Sequence, residues 1–313
     1  MSPKTESQLA SAVLMIRPVR FQSNPLTAQS NRFQGRNPDS PEQQQRDAER
    51  EFVGLRQALE AVGIEVIEFA DTEEPHTPDA IFPNNWVSFH GDGTVVLYPM
   101  EAPNRRNERR PDIIEALVDD YGFDVREVID LSAHEQAGHY LEGTGSLVLD
   151  RVNRIAYACL SSRTHLDALG DFAQRVGYQV VAFDAVDRDG APIYHTNVLM
   201  NVGEVLAVVC TEAMPREDQR AAVLASLRNT GHEVIEISYE QMHAFAGNML
   251  ELRSASGERI IAMSQQALAS LDAAQRGAIE ANGRIVSAPI DHIESSAGGS
   301  VRCMLAEIHL RRR

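Results

Sequence analysis

The sequence predicts an α/β protein: a five-bladed α/β propeller with pseudo-fivefold symmetry. Three observations carry this reading. A helix-like stretch that ends in Gly and runs into a short apolar strand occurs five times. A pair of strand-like segments precedes each such stretch. The pivot glycines, Gly63, Gly122, Gly177, Gly231 and Gly283, follow one another at 59, 55, 54 and 52 residues. Units of this size cannot bury their faces alone, so they should stack about an axis. An ordinary doubly wound sheet would explain the alternation but not a hairpin in every unit.

Along the chain, Met1 to Ala10 reads as a loose tail, and residues 11–313 as one propeller domain. Phe21 to Asp47 is polar and rich in Asn, Gln and Pro. It lies outside the repeat and reads either as a lid or binding loop or as a disordered segment. The hairpins are AIFPNNWVSFH with TVVLYPM, GSLVLD with RIAYACL, NVLMNVG with EVLAVVC, and MLELRS with RIIAMS. Their turns contain Gly, Asp or Asn, as hairpins require. VRCMLAEIHL closes the last unit, with AVLMIRPV from the N-terminal end as its partner. The helix and third strand come from ALEAVGIEVIEFA, ALVDDYGFDVREVI, FAQRVGYQVVAF, SLRNTGHEVIEI and AIEANGRIVSAPI. Gly suits the left-handed position just past a helix end. The β-branched residues that follow favour an extended strand.

Composition removes several classes. The 313 residues carry 29 Lys+Arg against 45 Asp+Glu, a formal balance of −16, which disfavours nucleic acid. A hydrophobic share of 43% argues against general disorder. No apolar run is long enough for a membrane span, and Met1 to Leu9 lacks the pattern of an export signal. Lys4 is the sole lysine, so no P-loop can form. Three cysteines cannot all pair, and the expected setting is a reducing cytoplasm.

Three residues stand out chemically. Cys303, in SSAGGSVRCML, follows glycines that permit close approach of a ligand and could serve as a nucleophile. Glu142, in HYLEGTGSLVLD, and His195, in PIYHTNVLM, stand at strand entries. Singly, these read as a buried thiol, a turn acid and a core histidine. In the repeat register they occupy equivalent hairpin starts of three units, which would converge on the axis. Cys159 and Cys210 sit in apolar runs and read as core residues. His134 and His139 mimic a zinc motif, but they are five apart with Gly138 between, so they share no helical face.

The ordered set of segments from about Val13 onward resembles the guanidino-group-modifying superfamily, or pentein fold. That superfamily includes arginine deiminases, dimethylarginine dimethylaminohydrolases and amidinotransferases. The pattern is most similar to its citrulline-utilisation hydrolases, often labelled amidinotransferase-like. The resemblance implies Cys303 as nucleophile, His195 as general acid/base and Glu142 as the catalytic acid, in Glu-Gly-Thr-Gly where relatives have Glu-Gly-Gly-Asp. It also aligns Asp79 with the residue that holds the substrate α-amine. Arg105, in APNRR, and Arg163, in SSRT, would hold its α-carboxylate.

Relatives grip the cationic guanidinium with Glu-Asp, where this chain has Asn84-Asn85. The His-x-Asp of deiminases is here His195-Thr196-Asn197. A carboxylate suits a cation. An amide offers donors and an acceptor, which suit a neutral ureido group. The resemblance thus implies a hydrolase of citrulline, giving ornithine, ammonia and carbon dioxide without cofactor or metal. Asn84, Asn85 and Asn197 would bind the head group. The alternatives are an amidinotransferase or deiminase-type enzyme on a guanidino substrate, and a non-catalytic binding protein of the same fold. The expected partner is a small amino acid, with no nucleic acid and no membrane; a homo-oligomer stays open.

Overall fold

The computed structural model describes residues 6–35 and 37–313. It is a mixed α/β structure whose strands form five three-stranded sheets. In each, a central strand pairs antiparallel on one side and parallel on the other.

The chain opens with β1 (Ala12–Arg17), which runs parallel to β2 (Glu65–Ala70) with Val13 opposite Val66. In the next sheet β3 (Val87–Phe89) and β4 (Thr94–Leu97) form a hairpin, and β5 (Glu127–Asp130) lies parallel to β4. The pattern returns in β6 (Val148–Asp150), β7 (Ile155–Leu160) and β8 (Gln179–Asp184). It returns again in β9 (Met200–Val202), β10 (Leu206–Val209) and β11 (Glu233–Glu236). The fifth sheet holds β12 (Leu250–Arg253), β13 (Arg259–Ser264) and β14 (Arg284–Ala288). Finally β15 (Ala306–Ile308) returns to β1, antiparallel, with Ala306 opposite Leu14.

The parallel pairings need crossovers, and helices supply them. These include Pro41–Glu60, Pro111–Asp119, Leu166–Val176, Glu217–Asn229 and Ala273–Asn282. Central strands are buried along most of their length, whereas the third strands expose Glu65, Glu127, Gln179, Glu233 and Arg284. Apolar clusters join neighbouring sheets. Leu14 and Val95 share one, Val96 and Ala156 another. Tyr157, Val208 and Met263 share a third, and Ile260 and Val13 a fourth.

Four of the five pivot glycines are left-handed, with φ of 80°, 71°, 80° and 88° at Gly63, Gly122, Gly177 and Gly231. Gly283 is not: its φ is 179°. It is needed for space instead, because a Cβ there would stand 2.8 Å from the Arg259 carbonyl oxygen.

The loose tail needs correction. Met1 to Thr5 lie outside the described residues, but Gln8, Leu9 and Ala10 are buried. The Gln8 side chain donates to the carbonyls of Leu149 and Val202 at 3.0 and 2.9 Å and accepts from the Arg151 amide at 2.8 Å. Glu6 pairs with the buried Arg151 at 3.0 Å. A polar segment is buried here because it satisfies backbone groups of two different hairpins. The Phe21 to Asp47 segment also ends earlier than its polarity suggests. Ser40 caps the helix Pro41–Glu60 by accepting from the Gln43 amide, and Gln44, Ala48 and Phe52 turn inward.

Candidate active site

Short turns at the strand entries carry six of the predicted residues. Glu142 stands just before the single helical turn Gly143–Ser146, and His195 just before Thr196–Leu199. Asn84 and Asn85 lie in the turn Pro83–Asn85, and Cys303 in Val301–Met304. The turn at Gly143–Ser146 packs against both Pro83–Asn85 and Thr196–Leu199. Gly145 permits this: a Cβ there would lie 2.5 Å from Asn85 Nδ2 and 2.7 Å from His195 Cε1.

The turns surround a small cleft. Six of the predicted residues line it: Asp79, Asn85, Arg105, Arg163, His195 and Cys303. The other three stand directly behind, each bonded to one that lines it. Glu142 Oε2 accepts from His195 Nε2 at 2.9 Å, Asn84 Oδ1 accepts from Asn85 Nδ2 at 3.0 Å, and Asn197 Nδ2 donates to Cys303 Sγ at 3.4 Å.

Glu142 is fully buried, and its Oε1 accepts from the Glu101 amide at 3.0 Å. Burial alone would raise its pKa. The opposing pull of Arg163 at 3.4 Å, of His195 and of Arg105 at 3.6 Å prevails, and the carboxyl is held well below its usual range. Burial dominates at His195 and lowers it to about 4, although Glu142 pulls the other way. The imidazole is therefore neutral at neutral pH. With a carboxylate as its partner, Nε2 carries the proton and Nδ1 is the basic nitrogen.

Arg105 lines the cleft with its guanidinium already engaged. Its fork is taken by Glu108, with Nε to Oε1 at 2.8 Å and Nη2 to Oε2 at 2.9 Å, while Nη1 donates to Asn85 Oδ1 at 2.9 Å. It thus orients the Asn85 amide. Arg163 reaches Ser30 Oγ at 2.7 Å and Glu101 Oε2 at 3.2 Å and lies over the Tyr194 ring. Asp79 Oδ2 accepts from Asn24 Nδ2 at 2.7 Å, while its Oδ1 has no partner among the described residues.

Several residues of the site escaped the sequence reading. Asn248 Nδ2 lies 3.4 Å from Cys303 Sγ. Asn248 stands at the entry to β12, so the repeat register could have found it. Glu108 stands three residues after Arg105, a spacing that pairs opposite charges. Asn24, Ser30 and Asn31 come from the polar loop, which is folded against the cleft: Asn31 Nδ2 donates to the Ala297 carbonyl at 2.9 Å. No sequence signal assigns these three. His134 and His139 bond different carboxylates, Asp171 and Asp167. His139 and His165 approach Asp167 together. Their rings are stacked at 3°, which directs the nitrogen lone pairs into parallel planes rather than at one point.

The chain belongs to the family described as N,N dimethylarginine dimethylhydrolase, eukaryotic, whose model matches residues 17–310, and with it to the guanidino-group-modifying superfamily that the motifs indicate. It is accordingly a hydrolase acting on C–N bonds. No curated protein matches the chain in sequence. Among solved structures it is similar to ArgZ, an arginine dihydrolase from the ornithine–ammonia cycle in cyanobacteria, with 19% identity and a TM-score of 0.72. That match covers 94% of this chain but only 40% of the ArgZ chain. The N-terminal domain of ArgZ bound to substrate gives 19% identity and a TM-score of 0.71, covering 94% of this chain and 96% of that one. A dimethylarginine hydrolase mutant from Pseudomonas aeruginosa, in complex with citrulline, gives 15% identity, a TM-score of 0.65 and coverage of 95% and 99%. These likenesses show the fold. No helix among the described residues is long and apolar enough to cross a membrane.

Proposed function

We propose that the protein hydrolyses citrulline to ornithine, ammonia and carbon dioxide through a covalent intermediate on Cys303. One observation carries this reading: the side chains bonded to Cys303 Sγ are the amides of Asn197 and Asn248. Amides address a neutral C=O and NH2, whereas carboxylates would suit a cationic guanidinium.

In this mechanism neutral His195 takes the Cys303 proton through Nδ1, and the sulfur attacks the ureido carbon. Glu142 stabilises the imidazolium that forms. The tetrahedral adduct collapses, one C–N bond breaks, and His195 returns the proton to the departing nitrogen. Water, activated by His195, then cleaves the S–C bond and releases a carbamate, which decomposes to amine and carbon dioxide. Loss of either nitrogen leads to the same three products. Asp79 Oδ1 receives the α-amine. Arg163 takes the α-carboxylate, exchanging Glu101 for it. No cofactor or metal enters.

The same reading takes the five sheets as blades about a pseudo-fivefold axis, in one catalytic domain from residue 11 to 313. Apolar clusters linking sheet to sheet, including the fifth to the first, support it. The thiol nucleophile suits a reducing cytoplasm.

The family assignment favours a second reading, a methylated arginine as substrate. Incubation with citrulline, arginine and methylated arginines, with ammonia and ornithine assayed, separates the two. Turnover of a guanidino substrate without turnover of citrulline overturns the first.

A further inference from the structure

We propose that Asn248 is a catalytic residue whose side-chain amide, together with that of Asn197, stabilises the thiolate of Cys303. The backbone around Asn248 is shaped to deliver it. Phe245, shortly before β12, adopts a left-handed φ of 61°, which is unfavourable for a bulky side chain. Gly247 then lies flat on the neighbouring hairpin entry, where a Cβ would come 2.5 Å from the Val198 carbonyl oxygen. The result is a fully buried Asn248 wedged between the turns that carry Asn197 and Cys303.

The orientation of the amide follows from its partners. Oδ1 accepts from the Arg302 backbone amide at 3.1 Å, and Nδ2 donates to the Asn197 carbonyl at 2.9 Å. A flipped amide would set donor against donor and acceptor against acceptor. The NH2 edge is thereby directed at sulfur, 3.4 Å away. Asn197 Nδ2 approaches the same sulfur at 3.4 Å. A protonated thiol has an acceptor available in Asn248 Oδ1 at 3.7 Å. Once the proton leaves for His195, two N–H groups remain to stabilise the anion. Hydrogen bonds to an ionised group are the strong ones, and a buried site magnifies them.

The role is double. Through Arg302 N and Asn197 O, Asn248 fixes the two turns relative to each other. Through Nδ2 it acts on the reacting atom. A merely structural residue would do only the first.

Glu and Gln are too long for this space, so the test uses Asn248→Asp and Asn248→Ser. Asn248→Asp keeps the acceptor for Arg302 N and places a carboxylate oxygen, in place of N–H, beside the sulfur. The readout is the rate of iodoacetamide labelling of Cys303 against pH, with Cys159 and Cys210 as buried internal references and thermal melting as the control for folding. For Asn248→Asp, labelling at pH 7 falls about tenfold or more, the loss expected for one charge-assisted hydrogen bond, and the profile moves to more alkaline pH. Asn248→Ser, which removes the amide without adding charge, falls by less. A folded variant of either kind that labels like the wild type overturns the proposal. The proposal rests on Cys303 as nucleophile, and the two fail separately. If wild-type Cys303 labels no faster than Cys159 and Cys210, the nucleophile assignment fails. If it labels fast and the variants match it, only the role of Asn248 fails.

Discussion

Glu142 Oε2 and His195 Nε2 lie 2.9 Å apart, and both side chains are out of solvent. The carboxylate stays ionised in that setting because Arg163 and Arg105 face it. It fixes the imidazole tautomer and would balance the charge when His195 takes a proton. Glu142→Gln preserves the shape and removes the anion. Its kcat on citrulline should fall by about 10²–10⁴-fold, the usual worth of acid–base catalysis, with KM nearly unchanged. Ammonia release at saturating citrulline checks this; a Gln variant with wild-type kcat rejects the assignment.

The pH profile follows from the same residue. His195 acts as a base only when neutral, and burial lowers its pKa to about 4. The acid limb of kcat/KM, governed by the free enzyme, should therefore fall as pH drops through about 4, well below the ordinary 6.5 of an exposed histidine. Recovery of activity on return to pH 7 excludes unfolding. A reversible limb centred near 6.5 contradicts a buried, neutral His195.

Arg163 distinguishes binding from chemistry. Its fork touches Ser30 and Glu101 on one side and Glu142 on the other. Lysine keeps the charge but cannot reproduce a planar, multidentate contact. Arg163→Lys should raise KM for citrulline by about tenfold or more while kcat changes less. Steady-state kinetics would sink the carboxylate assignment if kcat fell and KM did not.

Much of this was legible in the sequence because repetition amplifies weak signals. One hairpin entry is ambiguous, but Glu142, His195 and Cys303 at the same register in three units point to one place. Asn248 obeys the same register and was passed over because no familiar motif marks it. Gly283 looked like its four counterparts, yet it serves close packing against Arg259 rather than a positive φ. The buried Gln8 and the contacts of Asn24, Ser30 and Asn31 depend on chain segments far apart, which no local pattern encodes. Nothing in the sequence marks Glu108 as buried, so its ion pair with Arg105 emerges only in the structure.

Head-group selectivity should be reversible at Asn85. Its Oδ1 accepts from Arg105, and its Nδ2 donates to Asn84. Asn85→Asp restores a carboxylate on the wall of the cleft and removes that donor. Citrulline kcat/KM should drop by about 10²-fold, and arginine should become the better competitive inhibitor, since a carboxylate favours a cation. Competition between the two amino acids gives the ratio directly. An unchanged ratio means that Asn85 does not address the head group.

A second buried carboxyl makes stability depend on pH. Glu294 lies in the helix Asp291–Ala297, beneath the glycines that lead to Cys303. Ser300 Oγ donates to its Oε1 at 2.5 Å, and the Ser300 carbonyl in turn accepts from the Cys303 amide at 2.9 Å. Burial pushes the Glu294 pKa up to about 7 from an ordinary 4.5, against the pull of Ser300. Between those two values the folded chain keeps a proton that the unfolded chain has lost. Stability from this group is complete below about 4.5 and is lost as pH rises to about 7. The shift corresponds to about 3 kcal/mol. Glu294→Gln mimics the protonated form and cannot titrate. Urea unfolding should therefore find the variant and the wild type alike near pH 4.5, with the variant increasingly the more stable as pH rises to about 7 and the gap constant beyond it. If the two stability curves stay parallel across that range, Glu294 does not carry a retained proton.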